Sequence, residues 1–312
     1  MLLPIWEQFL NLTLQILPFF NRMFMKKYTC LFILIVAFQY ADAQQIAADL
    51  YAGLAHYQGD LQQKRFNTNG IGPHLGLGLS YRFNTHLAIR GAASYLKLKG
   101  SDAAGVSSLK DIPSRNLSFA TSVWEAQAAV EYHFFNIEER SLSPYLFAGV
   151  AAFHFNPYAH DAGGNKVFLR SLATEGQGLS AYPDKKMYKN NQLAVPFGAG
   201  VKFALGPQWQ LGFELGFRKL FTDYLDDVSG TYADSALLAS ARGPLAAAMA
   251  YRGREINVAS PYPAEGAIRG NPKNKDWYYT TGIRLSYTLG GGNGNGLLGG
   301  RKGKTGCPAN VY

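Results

Sequence analysis

The chain has 312 residues, of which 47% are hydrophobic, 14% aromatic and 16% charged, with 34 glycines and a formal net charge of +9. So many rings and glycines with so little charge exclude a disordered chain and do not suit an ordinary soluble enzyme. Cys30 and Cys307 are the two cysteines, too few for a disulfide framework or a cysteine metal site.

Residues 1–24 read as an upstream extension from a misplaced start codon, because Pro4, Glu7, Gln8, Gln15 and Pro18 break their apolar character. An N-terminal membrane helix would need about 20 mostly apolar residues. Residues 25–43 read as a signal peptide: basic Lys26 and Lys27, an apolar run from Leu31 to Phe38, and the small-x-small site Ala41-Asp42-Ala43. Cys30 lies inside the apolar run, which argues against a lipoprotein. Cleavage before Gln44 leaves one cysteine, and 27 cationic against 19 anionic side chains. A basic exported protein points to anionic lipid or polysaccharide rather than nucleic acid.

Beyond Gln44 the predicted fold class is all-β: an eight-stranded antiparallel transmembrane outer-membrane barrel over 44–290. Its segments are 46–59, 71–83, 87–99, 116–135, 143–156, 192–205, 208–221 and 277–289, each with side chains alternating in period two. All exceed the roughly 9–11 residues a tilted strand needs to cross a bilayer. In "LGLGLSYRF", Leu75, Leu77, Leu79, Tyr81 and Phe83 oppose His74, Gly76, Gly78, Ser80 and Arg82. Following this parity gives an inward set of Asp49, Arg82, Arg90, Glu125, Glu131, Lys202, Glu214, Arg218 and Arg284. Both signs are present, so the expectation is a paired charge network filling a narrow lumen, since eight strands leave room for side chains and little else.

The connections alternate between long and short, as in barrels with short periplasmic turns and longer outer loops. An even strand count then places both termini in the periplasm. Aromatic belts are expected from Phe83, Phe134, Phe135, Tyr145, Phe203, Trp209 and Tyr287 at one rim. Tyr57, Tyr95, Phe119, Phe221, Trp277 and Tyr279 are assigned to the other.

The 35 residues of 157–191 and the 55 of 222–276 are too long to be idle connectors. The second starts acidic at Asp223, Tyr224, Asp226 and Asp227, has an alanine-rich, helix-prone middle (Ala233 to Tyr251), and returns basic. Its aspartates lack calcium-loop spacing, so turn and capping chemistry is favoured over a metal. The tail, 291–312, is flexible by composition. The six histidines form no metal-ligand pair, and the sequence contains no nucleophile elbow or nucleotide loop. His154, beside the long loop, is the best candidate base, although a structural role suits it better. No cofactor, metal or catalytic residue is assigned, and no nucleic-acid platform is evident.

The stretches "SPYLFAGVAAFHFNPYA" (143–159), "LATEGQG" (172–178), "VPFGAGVKFAL" (195–205) and "LGFELGFRKLFTDYLDDVSGTYAD" (211–234) are similar to those of PorG-like outer-membrane barrels associated with type IX secretion and gliding motility. The resemblance implies a non-enzymatic anchor whose partners are outer-membrane lipid, lipopolysaccharide and periplasmic lipoprotein-ring subunits. A lipid-modifying barrel enzyme and a passive surface-binding barrel remain as alternatives.

Overall fold

The computed structural model describes residues 46–62, 70–102, 115–137 and 139–289. The upstream extension, the signal peptide and the tail lie outside the described residues.

Eight long strands form the wall: β1 (Ile46–Gln58), β2 (Gly72–Arg82), β3 (Leu87–Ser101), β4 (Ser118–His133), β5 (Leu142–His154), β8 (Asn191–Ala204), β9 (Trp209–Leu220) and β10 (Trp277–Leu289). Between β5 and β8 a short hairpin, β6 (Tyr158–His160) and β7 (Lys166–Phe168), continues the sheet beyond the wall through Ala120 of β4 opposite Tyr158. The hairpin was not anticipated from the sequence, because three-residue strands carry no readable period. Every strand pairs antiparallel with its neighbours, and the ladder of β1 on β10 closes the sheet into a barrel with no free edge. Closure pairs the backbone of each wall strand on both sides, the condition for crossing hydrocarbon with strands, with one gap in the ladder of β5 on β8 at Pro196, which has no N–H to donate.

The outward face is apolar and open. Leu77 is 67% exposed and Val150 66%, values that would mark a defect in a soluble sheet and are required of a lipid-facing one. The molecule is therefore a transmembrane barrel of the outer-membrane kind. Its short turns, 83–86, 134–141 and 205–208, share one end with residues 46 and 289, and the long connections share the other.

Rings gather at both rims. Trp209 lies tilted against Tyr287 at 4.7 Å and Tyr132 meets Phe134 edge-on at the short-turn end, while Tyr95 and Trp124 meet at 4.9 Å at the long-loop end. Three aromatics expected in the belts point inward instead: Tyr57, Phe119 and Tyr145 are almost completely buried. Height along the strand placed them correctly, but parity sets the face, and each has a lumen partner. Tyr145, for example, donates its hydroxyl hydrogen to Glu214 at 2.8 Å.

The closing seam is tightest where Gly53 faces Gly282. A β-carbon at Gly53 would overlap the Thr281 carbonyl, and one at Gly282 the Ala52 carbonyl, so only glycine lets the two backbones approach. Gly282→Val is expected to block closure. In unheated electrophoresis the fast-migrating folded band should be lost, whereas Ile283→Val, one residue along on the lipid side, should retain it.

Candidate functional site: a charged lumen under a folded cap

Of the nine expected inward charges, eight stand in the barrel interior in two ion-paired groups, and Arg82 lies half-buried at the short-turn mouth. The larger group centres on Glu131 of β4. Its carboxylate accepts from Arg90 at 3.0 Å, from Lys202 at 3.0 Å and from Arg284, and lies 3.2 Å from His133 Nε2. Arg284 also forks onto Asp49 at 2.8 and 3.0 Å, and Arg90 reaches Glu214 while its guanidinium lies 4.0 Å from the Phe147 ring centroid. Six strands are thereby tied across the lumen. Nearer the long loops, Arg218 forks onto Glu125 at 3.1 and 3.3 Å and donates to Thr280 at 2.7 Å, while Tyr278 donates to the same carboxylate.

The two groups hold four acids against four bases, so the charges balance where desolvation penalises any excess. Beside Arg82 a cavity of about 30 Å³ is lined by Ser80, His133 and Lys202, room for about one water.

Above Glu125 the interior turns apolar. Leu96, Leu98, Phe119, Val123, Phe153 and Leu220 fill the wall's upper end and continue without a break into the long loops. Two helices, Ser235–Arg242 and Pro244–Ala250, lie over this plug and contribute Leu238, Ala246, Met249 and Ala250 to it. The alanine-rich middle thus folds as two short helices broken at Gly243-Pro244. Asp234 caps the first, accepting from the Leu237 amide at 2.7 Å.

The cap is assembled around Glu175, which the sequence did not single out, and Arg269, which it marked only as part of the loop's basic return. Glu175 accepts the Ser229 amide at 2.9 Å, the Gly230 amide at 3.1 Å and the Tyr224 hydroxyl at 3.2 Å. Arg269 pairs with Glu175 at 2.9 Å and donates to the Asp227 and Ala250 carbonyls at 2.6 and 3.2 Å. Arg115, from the β3–β4 connection, pairs with Asp102 at 2.8 Å, donates to the Asp60 carbonyl at 3.0 Å, and bonds the Arg269 carbonyl. The stretches "LATEGQG" and "TDYLDDVSGTY" are therefore packed on each other. Gly176, at φ +81° beneath the Tyr182 ring, has space for no side chain.

The aspartates of the acidic stretch are buried rather than solvated. Asp227, at φ +66°, accepts from Thr174 at 2.5 Å and from Tyr188 at 2.7 Å; Asp226 accepts the Val228 amide at 2.9 Å; Asp223 accepts from Ser229 at 2.8 Å. The expectation of turn chemistry describes Asp226, whereas Asp227 reaches across to another loop. Asp226 and Asp276, from the two ends of one connection, both lie on the Tyr57 hydroxyl, at 2.5 and 3.2 Å. That hydroxyl has one hydrogen for two carboxylates, an arrangement that favours the protonated form of an acid here. Burial pushes both far above the ordinary carboxylate range, reinforced by the charge of Asp60 at Asp226 and by that of Asp226 at Asp276. Burial also raises Asp223 to about 7, and raises Asp227 to about 6 against the opposing pull of Arg269.

His154 faces outward and bonds Asn191 Oδ1 at 2.7 Å. No cluster of three or more metal-ligating side chains occurs among the described residues.

Residues 25–242 match the family described as Domain of unknown function (DUF6089). No curated protein matches the chain. Among solved structures it is similar to OprG of Pseudomonas aeruginosa, at 11% identity and TM-score 0.38, covering 79% of this chain and 98% of that one. It is also similar to Ail of Yersinia pestis in complex with a heparin analogue, at 9%, TM-score 0.37, 78% and 97%. A third is a major outer membrane protein of Thermus thermophilus, at 12%, TM-score 0.37, 78% and 98%.

Removing Glu131 takes the paired carboxylate from buried Lys202 and one of two from Arg90 and Arg284. Glu131→Ala should cost about 3–5 kcal/mol in denaturant unfolding from lipid vesicles, several times the effect of removing exposed Glu265. The raised aspartates set a sign for the cap as well. An acid whose folded pKa lies above its unfolded value stabilises fully below the unfolded value, 3.8 here, and loses that contribution as pH rises through the folded value. Proteolysis within 222–276 should therefore be faster at about pH 8 than at about pH 5. Asp223→Asn should flatten the difference.

Proposed function

The chain belongs to the DUF6089 family, and from that premise and its filled, capped interior we propose that it is a non-enzymatic outer-membrane barrel that works as an anchor. The observation that carries this reading is the unbroken filling of the lumen, ion-paired below and apolar above, under a cap with its own core. Such an interior offers solutes neither a route nor a reaction chamber. Function is thereby left to the two ends and to the lipid face.

The finer reading is that the short-turn end faces the periplasm and holds lipoprotein-ring subunits of the type IX secretion machine. It is supported by the resemblance to PorG-like barrels, whose sharpest part is the stretch ending in "TDYLDDVSGTY", which helps build the cap. The turns 83–86, 134–141 and 205–208, with Glu139 and Arg140 exposed, would supply the contact. The alternative of a lipid-modifying enzyme has less support, since its best base, His154, is tied to Asn191 on the lipid side.

Affinity purification from native membranes after crosslinking should recover periplasmic lipoproteins with the barrel. Replacing turn 134–141 with a Gly-Ser segment should release them while the folded band persists. Recovery of the barrel alone, with lipid A altered in cells by His154→Ala, would favour the enzyme.

A further inference from the structure

Along the outward faces of the eight wall strands, the charged side chains among the described residues are three, Lys97, Lys99 and Lys219. All three are exposed, all are cationic, and all stand near the long-loop ends of their strands. The short-turn half of the same surface, from Tyr81 and Leu87 to Phe203 and Tyr287, carries no charged side chain. A lysine facing lipid costs about 2–4 kcal/mol at the bilayer midplane and close to nothing at the interface, which explains the height but not the sign or the one-sidedness. A headgroup layer rich in phosphate on that side explains both.

The wall beneath Lys97 is shaped to match. Lys97 lies opposite Ser122. One row deeper, Tyr95, Trp124, His154 and Asn191 run side by side across four strands. The next row is Ala93, Ala126, Ala152 and Leu193. The three alanines leave a groove of about 690 Å³ walled by Trp124 and Leu193. Polar and cationic groups thus stand at headgroup level, hydroxyl and amide donors just below, and an acyl-wide apolar trough below those. Lys99, two residues beyond Lys97 on the same face, adds a second ammonium about 7 Å away. Lys219 stands four strands round the barrel, its ammonium 5.8 Å from the Trp277 ring centroid.

The geometry points to a lipid site on the outer wall of β3, β4, β5 and β8 that holds a phosphorylated glycolipid of the outer leaflet. Lys97 and Lys99 take its phosphate, the Trp124 rim its sugar, and the alanine trough one acyl chain, with Lys219 marking a weaker contact on the opposite side. The inference rests on the reading that the long-loop end faces outward, and goes beyond it by naming a ligand and its seat. Occupation of this wall would fix the height and rotation of the barrel in the membrane, which an anchor needs.

The test is native mass spectrometry of the full chain, released from detergent after incubation with bis-phosphorylated lipid A, with its dephosphorylated form, or with phosphatidylglycerol. The bis-phosphorylated lipid should be retained over both others, and Lys97→Gln and Lys99→Gln should each weaken retention by about fivefold. Ala126→Phe, which fills the trough, should weaken it with all lysines intact. Equal retention of the dephosphorylated lipid or of phosphatidylglycerol would overturn the proposal, as would unchanged binding by the Lys97→Gln/Lys99→Gln/Lys219→Gln variant. Failure of the orientation reading is seen separately: Val258→Cys, in the long-loop cap, should react with an impermeant maleimide on intact cells if that end is outside.

Discussion

The structure depends on one arrangement: four carboxylates and four cations brought together inside a closed wall, with Glu131 accepting from three basic side chains at once. Each of these charges would be costly in a dry interior by itself. They are tolerated because closure places their partners within hydrogen-bond distance. The network in turn makes closure specific, since a slip of one residue in any strand that contributes to it would turn that strand's charges to the lipid. The Gly53 and Gly282 seam and the charge group are thus two parts of one constraint.

That constraint was legible in the sequence. Period-two alternation assigned Asp49, Arg90, Glu125, Glu131, Lys202, Glu214, Arg218 and Arg284 to one face, which is where they stand. Pairing was not legible, because Arg90 meets Glu214 across 124 positions of sequence. Tyr57, Phe119 and Tyr145 show the limit in another way: an aromatic near a rim is a belt residue or a lumen residue according to parity, and height alone does not distinguish them. The cap was almost invisible. Glu175 and Arg269 are 94 positions apart and join irregular segments, for which no period exists to be read. Only the glycines of "LATEGQG" and the turn formers of "DDVSG" hinted that these loops have fixed shapes.

The ends of the barrel differ in kind. One carries tight turns, and the outward strand faces beside them bear no charged side chain. The other carries a folded cap, three outward lysines and buried acids that meet on the Tyr57 hydroxyl. The proposed anchor suits this asymmetry: one end would present small turns to partners on its side of the membrane, while the other would grip the lipid layer beside its capped mouth. The cap's burial of Asp223, Asp226 and Asp276 together also makes it the part of the molecule most sensitive to deprotonation.

An interior filled from the Arg82 mouth to the helices of the cap should not conduct ions across a planar bilayer. The purified full chain should insert without opening steps above the noise of the bare membrane, and deletion of 235–250 should leave the ion-paired plug closed. Stable, voltage-independent steps from the intact protein would mean that water runs through the lumen, and the account of the charge network as a plug would be wrong.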